Sequence, residues 1–150
     1  MKNKYLELTL KKNEDSAGTD SEKEILDNDS DAIYNKNIER VLPLKTVLEL
    51  SKGLMFKKEG RALLIFDFDA KHSIWMAFMR YSLDLVFINE NHKIVDFFKN
   101  ARPLSFDINT LRVYYPKENC RYVLEIESGF IEKSNLKIGD FLHIPNKTNN

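Results

Sequence analysis

Residues 84–98 read DLVFINENHKIVDFF, two apolar runs joined by a polar turn. The first run, 84–88, is apolar on both faces after its leading aspartate, and Asn89–His92 are typical turn residues. This pattern predicts a β-hairpin with 94–98 as its returning arm. Because the first arm is apolar on both faces, we expect it to lie in a sheet that is covered on both sides.

Segments on both sides of this hairpin also favour short strands. They are apolar throughout or alternate between apolar and polar residues, and turn residues separate them. The predicted strands are 62–68, 74–79, 111–115, 121–127 and 141–144.

The segment 121–127 (RYVLEIE) has the clearest alternation and predicts a half-buried strand. The expected inward residues are Tyr122, Leu124 and Ile126, and the expected outward residues are Arg121, Glu125 and Glu127.

One short helix is expected, because apolar residues follow helical spacing over 44–52, between Pro43 and Gly53. Strands and helices do not alternate along the chain, which excludes a parallel α/β sheet. The predicted fold is therefore all-β, a compact antiparallel β-sandwich or barrel of jelly-roll type with one short helix near its beginning.

The segment 74–79 (IWMAFM) is apolar on both faces and predicts a central strand. In that position Trp75 would be buried, and its replacement by alanine would cost about 3–5 kcal/mol. Something must cover the second face of this strand: the 44–56 segment, a loop, a ligand or a partner. The alternative is that Trp75 lines a ligand face, in which case its loss would leave the protein folded.

Charge is distributed unevenly along the chain. Residues 1–37 carry six basic and nine acidic side chains, and the window 11–31 has eight acidic residues against three lysines. Such a window buries too little apolar surface to offset the entropy of ordering its backbone. We expect a mostly disordered acidic tail over 1–37, followed by one domain over 38–145 and a disordered tail over 146–150. Within the tail, Leu6, Leu8 and Leu10 alternate with the period of a strand, which either pairs with the edge of the domain or stays unpaired.

The whole chain has 23 basic and 23 acidic residues and a formal net charge of zero. This balance argues against binding of nucleic acid or anionic lipid by bulk charge. A single cysteine, Cys120, excludes an intrachain disulfide. No apolar run is long enough to span a membrane, and no export signal is recognisable. We expect a cytoplasmic monomer without membrane insertion.

Familiar catalytic and cofactor motifs are missing from the sequence. His72, His92 and His143 lie far apart and have no cysteine or glutamate at ligand spacing, so no metal site is expected. The glycines form neither a phosphate-binding loop nor a dinucleotide fingerprint, so no cofactor is expected. No catalytic residue can be assigned from these patterns.

Several blocks occur in an order that resembles a known family. They are Lys52–Phe56 (KGLMF), His72–Met76 (HSIWM), Ser82–Ile88 (SLDLVFI) and the Gly139-Asp140 turn. Together they resemble the domain of unknown function 192 family, also called uncharacterised protein family 0127, over about residues 38–145. The resemblance implies a small all-β, sandwich-like domain, found in bacteria and archaea, with no established activity.

Two hypotheses for function follow from the residues. The first is a non-catalytic binding or interaction module for an unknown ligand or protein partner, with Trp75, Asp84, Arg121 and Glu125 as candidate binding residues. The second is a hydrolase that uses Asp84 and Glu125 as carboxylates near Trp75. Convergence of the two carboxylates within about 5–9.5 Å in an open cleft would favour the hydrolase.

Overall fold

A computed structural model describes residues 4–13, 35–46, 49–50, 53–55, 57–103 and 112–145. Most of the predicted acidic tail, residues 14–34, lies outside the described residues, as does the predicted C-terminal tail, 146–150. The predicted strand around Leu8 is part of the sheet, and the next strand begins at Asn35. Sheet residues therefore precede residue 38, where the composition changes.

Within the described residues the chain forms nine strands and one complete short helix. In chain order these are β1 (Leu6–Lys11), β2 (Asn35–Leu44), β3 (Arg61–Ala70), β4 (Ile74–Trp75), β5 (Leu83–Ile88), β6 (Ile94–Ala101), β7 (Val113–Tyr114), β8 (Cys120–Glu127), α1 (Phe130–Lys133) and β9 (Phe141–His143). The all-β fold class is confirmed. No helix among the described residues is long and apolar enough to cross a lipid bilayer.

Seven strands form one curled sheet in the order β6-β5-β8-β3-β2-β1-β9. Neighbouring strands are antiparallel except β2 and β3, which are parallel. The two edges meet at a bridge between Lys93 and Phe141, and the Ile94 N–H donates to the Asp140 carbonyl at 2.8 Å. The sheet thus curls towards a barrel, while β4 and β7 form a separate two-stranded ribbon.

The predicted hairpin is confirmed as β5 and β6. All six residues of β5 are buried, as its two apolar faces predict. The Asn89 side-chain oxygen accepts the backbone N–H groups of Asn91 and Lys93, each at 3.0 Å, and His92 has a φ of 63°. The Asn89 side chain therefore accepts the backbone N–H groups of the turn and stabilises the tight connection between the two strands.

The sheet has a hydrophobic core on each of its two faces. The first, which we call the inner core, takes buried residues from all seven strands and from α1, so it fills the interior of the curled sheet. The second, the outer core, takes residues from β2, β3, β5, β6 and β8 and is covered by Leu54, Ile74 and Met76. This double burial explains why β5 has no polar face.

The prediction of a central strand over 74–79 is wrong. Only Ile74–Trp75 is strand, paired with β7, and Phe78 then adopts a φ of 57° in a turn. Trp75 is 52% exposed, so its predicted burial is wrong as well. The apolar residues of this segment cover the outer core instead of being covered by other layers, and an apolar run does not distinguish these two roles.

The helical segment after β2 begins later than predicted, because Leu44 is still part of β2. The Glu49 N–H donates to Thr46 Oγ1 at 3.2 Å, and Glu49 Oε2 accepts the Thr46 N–H at 3.0 Å. This reciprocal pair is a capping box and starts a helical turn that includes residues 49–50. The rest of the predicted helix, residues 47–48 and 51–52, lies outside the described residues.

Candidate functional site

An apolar cleft lies on the outer face of β3 and β8. Its volume is about 290 Å³. The described residues that line it are Leu50, Gly53, Leu54, Met55, Leu64, Phe66, Ser73, Ile74, Trp75, Ala77, Met79 and Glu125. The cleft lies where the 53–55 turn and the 73–79 segment both cover the sheet.

Glu125 is the one ionisable residue in this lining. It lies opposite Ala62 on β3 and Leu85 on β5, so its side chain leaves the sheet on the outer face. The predicted outward direction of Glu125 is therefore not a direction into solvent: the side chain is 6% exposed. Strand β8 is buried on both faces over most of its length, which corrects the half-buried prediction for 121–127.

The backbone of Gly53 approaches the Glu125 carboxylate closely. Gly53 has a φ of 45°, and a Cβ at this position would lie 3.4 Å from Glu125 Oε2. Glycine adopts this left-handed conformation without the steric cost that other residues incur. The sequence predicted Gly53 as a helix stop and gave no signal that it lies over a carboxylate on a distant strand.

The Glu125 carboxylate is buried without full hydrogen bonding. Oε2 has no hydrogen-bond partner among the described residues. Burial raises the pKa of Glu125 from 4.5 to about 7, and the charge of Lys57 opposes this only in part. An unpaired buried carboxyl is costly, and a shifted pKa in a cleft is typical of functional sites.

A second, more polar cleft of about 650 Å³ adjoins the first, and Leu54 lines both. It contains the ion pair between Arg61 and Glu127, with nitrogen–oxygen distances of 2.6 and 2.7 Å. The Tyr81 hydroxyl also has no partner among the described residues. Burial and the charge of Glu125 raise the pKa of Tyr81 to about 12, so its hydroxyl remains protonated at neutral pH.

Asp84 lies on the opposite face of the sheet from Glu125, because it pairs with Ile126 while its neighbour Leu85 pairs with Glu125. Its Oδ1 accepts the Asn100 N–H and its Oδ2 accepts the Ile131 N–H, each at 2.9 Å. The residue before α1 is Gly129, which has no side chain to cap the helix. Asp84 supplies that cap from a neighbouring strand.

The structure brings together two of the four residues that the sequence nominates. Trp75 and Glu125 line the same cleft. Asp84 is buried on the other face, and Arg121 is half-buried at the beginning of β8 outside the described lining. Sequence reasoning missed Phe66, because aromatic residues on a strand look alike whether they line a cleft or fill a core.

The described residues offer no group of three or more His, Cys, Asp or Glu side chains that could hold a metal ion. Cys120 is buried, and burial raises the pKa of its thiol to about 11. The thiol is therefore protonated at neutral pH and a poor nucleophile. The chemistry available in the cleft is an apolar surface with one carboxyl group that ionises near neutral pH.

Comparison with known proteins identifies the relatives of this chain. Residues 26–144 match the DUF192 family, described as "Uncharacterized ACR". A UPF0127 protein from Thermococcus sibiricus is 32% identical over 105 residues, which cover 67% of this chain and 63% of that protein. A UPF0127 protein from Pyrococcus furiosus is 33% identical over 94 residues, covering 60% of this chain and 73% of the relative. The match thus spans less than two thirds of the Thermococcus protein.

Two crystal structures share the fold. A protein of unknown function from Novosphingobium aromaticivorans has a TM-score of 0.70 at 20% identity, over 93% of this chain and 84% of the other. A protein from Sinorhizobium meliloti, named "putative transcription regulator", has a TM-score of 0.72 at 19% identity, over 96% and 98% of the two chains. At these identities the likeness concerns the fold alone. The resemblance seen in the sequence motifs is confirmed by the family match, and the chain belongs to the DUF192 family.

Proposed function

We propose that this domain is a non-catalytic binding module and that the cleft between Trp75 and Glu125 is its ligand site. One observation carries the proposal: Glu125 Oε2 is buried at an apolar cleft without a hydrogen-bond partner among the described residues. Leaving such a group unpaired costs about 1–3 kcal/mol. A ligand that donates a hydrogen bond to this oxygen would recover that energy on binding, while the apolar walls would provide contact area.

The paired-carboxylate hydrolase has less support. That mechanism needs two carboxylates on either side of one substrate bond. Asp84 and Glu125 leave opposite faces of the sheet, and both oxygens of Asp84 already accept backbone N–H groups. Glu125 alone retains the features of a proton-transfer group.

We also propose that the module acts as a cytoplasmic monomer on an unknown ligand or protein partner, without binding nucleic acid. The zero net charge supports the last point, because nucleic-acid binding depends strongly on positive charge. The free, buried thiol of Cys120 is compatible with a reducing compartment.

Titration with benzyl alcohol, a small neutral probe, tests the proposed site. Trp75 is the only tryptophan, so its fluorescence reports directly on the cleft. We expect saturable changes in Trp75 fluorescence and in the Gly53 amide resonance. Trp75→Ala should weaken binding, whereas Tyr115→Ala, which removes another exposed aromatic ring that is not among the described lining residues, should not. Amide shifts confined to other parts of the surface would disprove the site.

A further inference from the structure

The described lining of the cleft carries charge of one sign only. Glu125 is the only described lining residue that can carry a charge, and no lysine, arginine or histidine is among the described residues of the lining. Its Oε2 is a free hydrogen-bond acceptor with no partner among the described residues. The charge of Lys57 acts on Glu125, but Lys57 is not among the described lining residues, so an anionic ligand in the cleft would lie against a carboxylate and not against a cation. The described lining therefore disfavours anions.

Aromatic rings accompany this carboxylate. Phe66 and Trp75 both line the cleft, and half of the Trp75 side chain remains open to solvent. One face of the Phe66 ring is stacked on His72, with 3.7 Å between the ring centroids, so Phe66 has only its other face for a ligand. The faces of such rings attract cations, most strongly when the cation is partly desolvated. A carboxylate and aromatic rings in one small cleft therefore attract the same kind of ligand.

The size of the cleft limits what it can hold. A volume of about 290 Å³ lies at the lower end of the range for ligand pockets, about 300–1,000 Å³. Leu54, Leu64 and Met79 supply apolar surface around the carboxylate. A small apolar group that carries the cation fits these walls better than a large polar ligand.

We propose, building on the binding role above, that the ligand carries an ammonium group on a small apolar carrier, and that an ammonium N–H donates a hydrogen bond to Glu125 Oε2. Two sources share this chemistry, a free organic amine and the lysine side chain of a protein partner.

Three probes test the class of ligand: benzylammonium, benzyl alcohol and benzoate. All three contain a phenyl ring, and they are positively charged, neutral and negatively charged, respectively. We expect benzylammonium to bind at least tenfold more tightly than benzyl alcohol, and benzoate to bind most weakly. Binding is followed through the Trp75 fluorescence and the Gly53 amide resonance. Glu125→Gln should abolish the preference for the cation, whereas the matched variant Glu127→Gln, whose parent carboxylate is paired with Arg61, should keep it.

The outcomes separate the two proposals. Equal or tighter binding of benzyl alcohol or benzoate, with changes still at Trp75 and Gly53, overturns the ammonium assignment and leaves the binding role intact. A lack of change at both residues with all three probes overturns both proposals. If the preference is found, N-acetyl-lysine methylamide distinguishes the sources: tighter binding than benzylammonium indicates a lysine side chain, and weaker binding indicates a free amine.

Discussion

Asp84 and Glu125 are two buried acids on neighbouring strands, and they differ in their hydrogen bonds. Asp84 is 1% exposed and Glu125 is 6% exposed, so burial does not distinguish them. Both Asp84 oxygens accept backbone N–H groups, whereas Glu125 Oε2 has no partner among the described residues. Hydrogen-bond satisfaction, more than burial, therefore separates an acid that stabilises the fold from one that is available to a ligand.

The same contrast applies to the two faces of the sheet. The inner core is enclosed by strands that pair continuously around it. The outer core is covered by the 53–55 turn and by the 73–79 segment, which do not form a continuous sheet over it. Strand pairing closes the first face, while the irregular cover of the second face leaves a cleft at Glu125.

The largest effect is expected for Asp84→Ala. This change leaves the N–H groups of Asn100 and Ile131 without their acceptors in a buried site. Since each hydrogen bond to a charged group contributes about 1.5–3 kcal/mol and two are lost, we expect the free energy of unfolding to fall by about 3–6 kcal/mol in urea denaturation. Asp84→Asn keeps one acceptor and should lose less. A loss below about 1 kcal/mol for Asp84→Ala would contradict a structural role.

Glu125→Gln is expected to raise the free energy of unfolding at pH 8, in contrast to Asp84→Ala. The pKa of Glu125 is raised from 4.5 to about 7 in the folded protein, so the folded state keeps a proton that the unfolded chain releases between these values. Stability of the native protein should therefore fall as the pH rises through this window and level off above it, by about 3 kcal/mol in total. Glu125→Gln has no such ionisation and should be more stable than the native protein at pH 8.

Urea denaturation at pH 4.5 and pH 8 measures this difference. At pH 4.5 the Glu125→Gln variant and the native protein should have similar stability. Glu127→Gln is the matched control, because Glu127 is paired with Arg61 and partly exposed, and it should show no gain at pH 8. Equal stabilities of native protein and Glu125→Gln at both pH values would show that Glu125 is not held in an unfavourable environment.

The β5–β6 hairpin and the β8 strand could be predicted because their signals are local in the sequence. The signal for β5 is an apolar run next to a polar turn, and the signal for β8 is the alternation of apolar and polar residues. The sequence predicted Glu125 as solvent-facing, because alternation shows which residues share a face and not whether another segment covers that face. It could not distinguish Asp84 from Glu125, since their hydrogen-bond partners come from distant parts of the chain. Trp75 and Glu125, two of the four nominated residues, line the same cleft, but the approach of Gly53 to Glu125 depends on tertiary structure alone.

Trp75→Ala is expected to lower the free energy of unfolding by less than it would if Trp75 were buried in a central strand. Since about half of the side chain is exposed, we expect a loss of about 1–2 kcal/mol. Phe87→Ala, which removes a fully buried ring from the outer core, should cost about 3–5 kcal/mol. Thermal and urea unfolding followed by circular dichroism compare the two variants. A loss for Trp75→Ala as large as that for Phe87→Ala would place Trp75 in the core and weaken the case for the cleft.

Gly53→Ala is expected to change stability least. Its main effect should be on ligand binding. Gly53 and Gly129 both have positive φ values, 45° and 89°, so alanine at either position should cost about 1 kcal/mol once the lower entropy of the unfolded chain is included. The space around them differs. A Cβ at Gly53 would meet the Glu125 carboxylate at 3.4 Å, whereas a Cβ at Gly129 would meet no atom within 4 Å. Gly53→Ala should therefore weaken benzylammonium binding severalfold, and Gly129→Ala should leave it unchanged. Equal binding by both variants would mean that the ligand does not approach Glu125 past Gly53, and would move the site away from this end of the cleft.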